Sequence, residues 1–369
     1  MTAKTLSLID VRTCQDRSRE TGPKYLAPSD HEASSLFRVQ DPFGLRLAVT
    51  PMFSVDDDGN LIGLGTAFAI DPWGTFLTAD HVVSHCRKMP KAASGLAPDA
   101  SYGLVMCDLM PGTRLVTLLG FGLVFGTVKV PDEAILQCEN GFTPAIRGND
   151  PLAALQGRVD LSPLDISMLK MGPKPPSNMI ANLPMRSMPY GLSVGDQVVA
   201  IGYPEIETVE GHLEGVQSRI SEGMFASYGT ITALYPEGRE EGLGNPVFEV
   251  DAYWPSGMSG GPVLNMQGEV VGIVSRSIAP GDDGEPGVSF ATWLEPFSDL
   301  SNWLPSLDPN NPCWRRGWAV LHSNTGSAKE VYPSKEEAEV ACKIMDEHFE
   351  VVFGSWRLGA EDFISETRY

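Results

Sequence analysis

The sequence predicts an all-β chain: two β units joined by a linker, followed by a small α+β C-terminal appendage. Three observations carry that reading. Glycine (38) and proline (29) are abundant among 369 residues, which favours many turns and short strands over long helices. Short apolar runs recur through the middle of the chain, each bounded by Gly, Pro, Asp or Asn. A proline-rich stretch opens at Gly172-Pro173-Lys174-Pro175-Pro176, reaches Pro189, and divides the runs into two groups.

The elements follow in order. Residues 1–40 are polar and weakly periodic and read as an N-terminal arm. Leu45–Val49, Leu61–Ile70 and Phe76–Thr78 read as strands, broken by the turn signals Asp57-Asp58-Gly59-Asn60 and Asp71-Pro72-Trp73-Gly74. Residues 88–100 read as a loop. Strand-like runs follow at 102–107, 114–119, 123–130 and 134–138, then a loop to about 160 and a strand at Leu164–Met171. Beyond the linker, taken as 172–189, strands are expected at Asp196–Gly202, Gly223–Leu234, Val247–Ala252, Gly261–Leu264, Glu269–Ile278 and Val288–Trp293. The resulting division is 1–40, a central unit over 41–308 with halves 41–171 and 190–308, and a small domain over 309–369. In that last part Trp318–His322 and Phe349–Phe353 read as strands. Ser334 reads as a helix N-cap with Glu337 at the capping-box position, ahead of an apolar stripe of Ala338, Ala341, Cys342 and Met345.

Charge and cysteine usage exclude several classes. Lys and Arg number 27 against 47 Asp and Glu, a net charge of −20 that repels nucleic acid and anionic lipid. The longest uncharged apolar run, Leu115–Val128, is interrupted by Gly120, Gly122 and Gly126 and is too short to span a bilayer. Six cysteines at 14, 86, 107, 138, 313 and 342 contain no CxxC pair. His31, His212, His322 and His348 have no ligand spacing, so neither metal nor cofactor is expected. With no apolar core of signal-peptide length in the first thirty residues, the expected setting is a reducing cytoplasm with free thiols.

Chemistry concentrates in three segments. In Gly257-Met258-Ser259-Gly260-Gly261-Pro262-Val263, glycines frame a serine and allow backbone N–H groups to turn outward. On its glycines alone this is an ordinary hairpin turn. Phe76-Leu77-Thr78-Ala79-Asp80-His81-Val82-Val83 places His81 just after a strand, and Leu164-Asp165-Ile166-Ser167-Met168-Leu169-Lys170 places Asp165 at a strand mouth. Singly, each reads as structural. Together they supply a nucleophile, a base to take its proton and an acid to orient the base, in the chain order His, Asp, Ser. Asp160 competes for the acid position but lacks the apolar strand that follows Asp165. His85, Cys86 and Asp251 read as structural.

These segments resemble the chymotrypsin-fold (trypsin-like) serine peptidases. Thr78-Ala79-Asp80-His81 is similar to that family's Thr-Ala-Ala-His, Asp165–Lys170 to its Asp-Ile-Ala-Leu-Leu-Lys, and Gly257–Pro262 to its Gly-Asp-Ser-Gly-Gly-Pro. Val271–Ser275 resembles the strand that walls the specificity pocket, Pro286-Gly287-Val288 the next pocket strand, and Leu300–Leu304 the closing helix. Gly195–Pro204 is similar to the HtrA-like and other bacterial branches. The resemblance covers about residues 45–305. It departs from the family in four places, one being that no cysteine precedes the serine within the pocket loop. The 84 residues between His81 and Asp165 imply an insertion within 88–155. Val82 stands where secreted members carry a cysteine. Met258 stands where they carry the aspartate that receives a newly cut N-terminus, so no proteolytic trimming is expected.

The resemblance implies two packed antiparallel β-barrels with the site in their cleft, and a serine endopeptidase working through His81, Asp165 and Ser259. It places the oxyanion hole at the N–H groups of Gly257 and Ser259. It places substrate contacts at Tyr253, Val274, Ser275, Arg276 and Gly287, and Tyr253 and Arg276 argue against cleavage after Lys or Arg. Implied partners are a protein or peptide substrate and a regulatory protein, for a regulated intracellular protease. A catalytically silent protein-binding module on the same fold is the alternative.

Overall fold

The structure, a computed structural model, describes residues 4–6, 36–39, 45–70, 74–88, 102–120, 134–147, 161–172, 183, 191–204, 206, 210–212, 224–239, 245–266, 268–280, 287–295, 315–325, 328–332, 334–345, 347–356 and 363–365. Most of the linker, the strand expected at 123–130, Asp160 and the closing helix at Leu300–Leu304 lie outside these residues.

The first barrel is built from β1 (Val49–Val55), β2 (Asn60–Ala69), β3 (Thr75–Thr78), β4 (Arg114–Leu118), β5 (Ile135–Arg147) and β6 (Ser167–Gly172). Its antiparallel pairings run β1–β2–β3–β6–β5–β4 and back to β1, which closes the sheet. The second barrel uses β7 (Gln197–Gly202), β8 (Phe225–Tyr235), β9 (Val247–Val250), β10 (Pro262–Asn265), β11 (Val270–Ile278) and β12 (Val288–Trp293). Its pairings run β7–β8–β9–β12–β11–β10 and back to β7. Both six-stranded rings therefore have the same strand order, and closure leaves neither with an open edge. The fold is chymotrypsin-like.

Residue alternation packs the barrels on each other. In β7, Val198 and Ala200 join the core of the second barrel, whereas Val199 and Ile201 join the cluster that continues into the first barrel. Val263 and Leu264 of β10 divide in the same way. Such strands are buried on both faces and read as unbroken apolar runs. Phe53, Phe68, Phe76 and Leu115 fill the first barrel; Phe248, Val250, Val263 and Ala291 fill the second.

Several sequence expectations are refined. The stretch between His81 and Asp165 contains two strands of the barrel itself, β4 and β5, with added strands at Tyr102–Met106 and Leu161–Pro163 paired to β5. β5 continues to Arg147, although a loop was expected after 138. Gly141 and Pro144 read as breakers but have structural uses. A Cβ on Gly141 would lie 2.8 Å from the Met168 carbonyl oxygen, and the Pro144 carbonyl accepts the Leu164 N–H at 2.8 Å. In the N-terminal stretch, Leu36–Val39 adds to β8 and Lys4–Leu6 pairs with it in parallel.

The C-terminal part holds β13 (Arg315–His322), β14 (Ala328–Tyr332), α2 (Lys335–Cys342), which is longer than α1 (Asp80–Ser84) of the first barrel, β15 (Phe349–Trp356) and β16 (Phe363–Ser365). The strands form an antiparallel sheet in the order β14-β13-β15-β16. Ser334 caps α2 as expected, its Oγ accepting the Glu337 N–H at 3.2 Å, and Ala338 is buried.

Candidate active site

His81 lies in the short helix α1 (Asp80–Ser84), which follows β3 directly. Its Nδ1 is 2.9 Å from Asp165 Oδ1 and 3.1 Å from Oδ2, and its backbone N–H donates to Oδ1 at 3.1 Å. An Nδ1–H donor leaves Nε2 as the basic ring nitrogen. Asp165 stands two residues before the start of β6. The Ser275 hydroxyl donates to its Oδ2 at 2.5 Å. Burial raises the Asp165 pKa, but the His81 side-chain hydrogen bond and charge, the Ser275 hydroxyl and the His81 N–H together bring it below the usual carboxylate value. The carboxylate is therefore ionised at neutral pH.

Ser259 belongs to the second barrel, in the turn between β9 and β10. Gly260 has φ +84°, and a Cβ there would lie 2.1 Å from Thr78 Oγ1, so only glycine fits. The turn crosses to the first barrel at Gly65. A Cβ on Gly65 would lie 2.8 Å from the Ser259 carbonyl oxygen and 3.0 Å from Val82 Cγ2, so the serine turn and the His81 helix meet over one glycine. Among the described residues, the Ser259 hydroxyl makes one hydrogen bond, to the Ser275 carbonyl at 3.4 Å. Ser275 thus links the three candidates: its carbonyl receives Ser259, and its hydroxyl reaches the carboxylate that holds His81. The N–H groups of Gly257 and Ser259 have no acceptor among the described residues.

The expected substrate-contact residues divide. Tyr253 is half-buried, and a Cβ on Gly287 would lie 2.7 Å from its Cβ, so these two adjoin. Arg276 is exposed on β11. Val274 is placed otherwise: its side chain is buried in the core of the second barrel, and its backbone pairs with Gly260 and Gly261. The Ser275 side chain supports Asp165. Asp251 accepts a hydrogen bond from the Thr230 N–H of β8.

Sequence reasoning missed the supports around the candidates. Asp80 Oδ1 and Oδ2 accept from both terminal nitrogens of buried Arg87 at 2.5 and 2.7 Å. The Thr143 and Ser167 hydroxyls also reach Oδ1, at 2.5 and 2.9 Å. An acidic residue at a helix start beside an arginine seven positions on was the available signal. Asn245 and Thr292 hold the Asp165 backbone at 3.4 and 3.3 Å, and nothing in their local sequence marks them.

Two barrels, with a His–Asp pair on one and a glycine-framed serine on the other, define the class to which this molecule is similar. The chain belongs to the trypsin-like peptidase domain family, which matches residues 65–273. It is 36% identical over 129 residues to a probable periplasmic serine endoprotease DegP-like of Rhizobium meliloti, covering 34% of this chain and 21% of that one. It is 30% identical over 164 residues to the serine endoprotease DegS of Escherichia coli, covering 43% and 38%. It is 37% identical over 101 residues to the Escherichia coli periplasmic pH-dependent serine endoprotease DegQ, covering 27% and 18%. The matches thus span well under half the length of these relatives. A crystal structure of an M. tuberculosis protease in its active form overlaps 72% of this chain and 83% of its own at 17% identity and a TM-score of 0.37, too loose a likeness to carry an argument.

These relatives correct the expected cytoplasmic location, because several are named periplasmic. The cysteine argument failed for a physical reason. Free thiols buried in a barrel core, as Cys86, Cys107 and Cys138 are, do not report the compartment. A core of this size also needs no disulfide.

Proposed function

We propose that the chain is a serine endopeptidase acting on protein substrates through Ser259, His81 and Asp165. Ser259 Oγ attacks the scissile carbonyl while His81 Nε2 takes its proton. The bond to nitrogen then breaks, His81 returns the proton to the leaving amine, and the acyl group remains on Ser259 until water repeats the sequence. Asp165 fixes the imidazole tautomer and stabilises its charged form. The Gly257 and Ser259 N–H groups receive the oxyanion. The observation that carries this reading is the chain of hydrogen bonds from Ser259 through Ser275 to Asp165 and His81, beside two N–H groups that have no acceptor among the described residues. We further assign residues 41–308 to the peptidase unit, 1–40 to an arm and 309–369 to a separate small domain, and expect activity to be regulated by a protein partner.

A second reading, a silent binding module, draws on one observation: the Ser259 hydroxyl rests on the Ser275 carbonyl. Catalytic hydrogen bonds are often loose before substrate arrives, so the enzyme reading is preferred. Labelling with a fluorophosphonate probe separates the two. The expected result is one adduct on Ser259 of the native protein, none on Ser259→Ala, and peptide hydrolysis lost in both Ser259→Ala and His81→Ala. Full turnover by Ser259→Ala overturns the assignment.

A further inference from the structure

We infer that Thr66 is the positioning residue that holds the oxyanion loop, residues 255–261, in its competent arrangement. The inference rests on the serine-peptidase reading of this site. The loop has no charge to anchor it: Met258, at its centre, is fully buried and packs on Gly202, where a Cβ would lie 2.9 Å from Met258 Cα. Thr66 lies on β2 of the other barrel and is fully buried. Its hydroxyl donates to the Gly257 carbonyl at 2.7 Å, and its N–H donates to the Ser259 carbonyl at 2.8 Å.

These contacts fix two peptide planes at both ends. The Gly257–Met258 peptide has its carbonyl on Thr66 Oγ1 and its N–H on the Pro255 carbonyl at 3.1 Å. The Ser259–Gly260 peptide has its carbonyl on the Thr66 N–H and its N–H on the Val274 carbonyl at 2.8 Å. The two N–H groups left for an oxyanion, those of Gly257 and Ser259, sit on the neighbouring planes, and the clamped planes determine where they point. Gly257 needs such a clamp, since at φ +90° a glycine is free to leave for other conformations.

Thr66 is itself immobilised. Its hydroxyl oxygen accepts the Tyr203 N–H at 3.1 Å, just beyond β7, and its carbonyl accepts the Thr78 hydroxyl at 2.7 Å, three residues before His81. One buried residue therefore ties the oxyanion loop and the end of β7, through its hydroxyl, to the strand that leads into the base, through its carbonyl. Valine has the same shape but can neither donate to Gly257 nor accept from Tyr203, so both of these buried hydrogen bonds are lost.

The test compares Thr66→Val and Thr66→Ser with the native chain. In Thr66→Val, kcat should fall about 10–100-fold with KM nearly unchanged, short of the roughly 10²–10³ that follows outright loss of a donor. Amide exchange across 255–261 should quicken. Thr66→Ser should restore both. Should Thr66→Val not fold, Thr66→Ala gives the same readouts without a methyl against the Gly257 carbonyl. Unchanged exchange and kcat in Thr66→Val, or a serine variant as impaired as the valine one, overturns the inference. Exchange is read without turnover, so an inert native chain with hydroxyl-dependent exchange overturns the peptidase reading, whereas unchanged exchange in an active chain overturns the role of Thr66.

Discussion

Replacing Arg87 by methionine asks whether a buried ion pair holds the helix that carries His81. Arg87 and Asp80 side chains are only 5% and 10% exposed, and the guanidinium meets the carboxylate through both terminal nitrogens. Thr143 of β5 and Ser167 of β6 donate to the same carboxylate, so the pair fastens α1 to two barrel strands. Removing the arginine leaves Asp80 with hydroxyls for company and no countercharge. Breaking such a pair from one side costs about 3–5 kcal/mol. At about 2–4 °C per kcal/mol for a domain of this size, the unfolding midpoint should fall by about 6–20 °C. Asp80→Leu combined with Arg87→Met should cost much less, because a buried pair removed whole is often neutral. With the carboxylate gone, the Thr143 and Ser167 hydroxyls, 2.7 Å apart, can donate one to the other. Thermal and urea unfolding of the two single variants and the double variant measure the coupling. An Arg87→Met protein within about 1 kcal/mol of native stability would falsify the anchoring role, since that is the level of an exposed pair.

Other predictions concern specificity, pH and activation. A peptide library should give small or medium apolar residues at the cleaved position, because Tyr253 adjoins Gly287, Ser277 and Ser289 bond each other at 2.8 Å across β11 and β12, and Asp251 is turned toward Thr230. A profile dominated by Arg or Lys would refute this. Burial pushes the Cys107 and Cys138 thiols from 9.0 up to about 11 and about 12. Raised folded values mean that their stabilisation is full below pH 9.0 and is lost as pH climbs through them, at about 1.4 kcal/mol per pH unit for each thiol. The urea midpoint should therefore drop more steeply with alkaline pH in the native chain than in Cys107→Ala/Cys138→Ala; equal slopes would contradict the burial argument. Finally, with Met258 in place of an acid and Thr66 on the loop, the uncut chain should take up a fluorophosphonate probe. Intact-mass spectra that carry the label only on chains cut between about 40 and 65 would reverse that expectation.

How far the sequence could be read depended on the range of the interactions involved. Turns were legible because their determinants are local. Asp56 accepts from both the N–H and the side-chain amide of Asn60 at 2.8 Å, and Gly59 supplies φ +85°, all within five residues. The α2 cap was legible for the same reason. β5 was misread because its glycine and proline answer to Met168 and Leu164, twenty or more residues away, and such partners leave no trace in a local pattern. The candidate triad was legible only as an ordered set of three, since each segment alone has an ordinary structural use.

The supports of the site follow the same rule in a stricter form. Thr66 is an unremarkable threonine in an apolar strand, and its partners lie 191 and 137 residues away. Ser275 reads as one more strand residue, yet its hydroxyl meets a carboxylate 110 residues earlier. Both hydroxyls act across the contact between the barrels, fully buried at Thr66 and partly buried at Ser275, where an unpaired carbonyl or carboxylate is costly. Burial therefore converts a common side chain into a specific one. It also explains why the acid and the base, which share one barrel, depend for their alignment on a residue of the other. A change that parts the barrels slightly should disturb Ser275 on Asp165 and Thr66 on Gly257 together, so barrel contact and site geometry form a single cooperative unit.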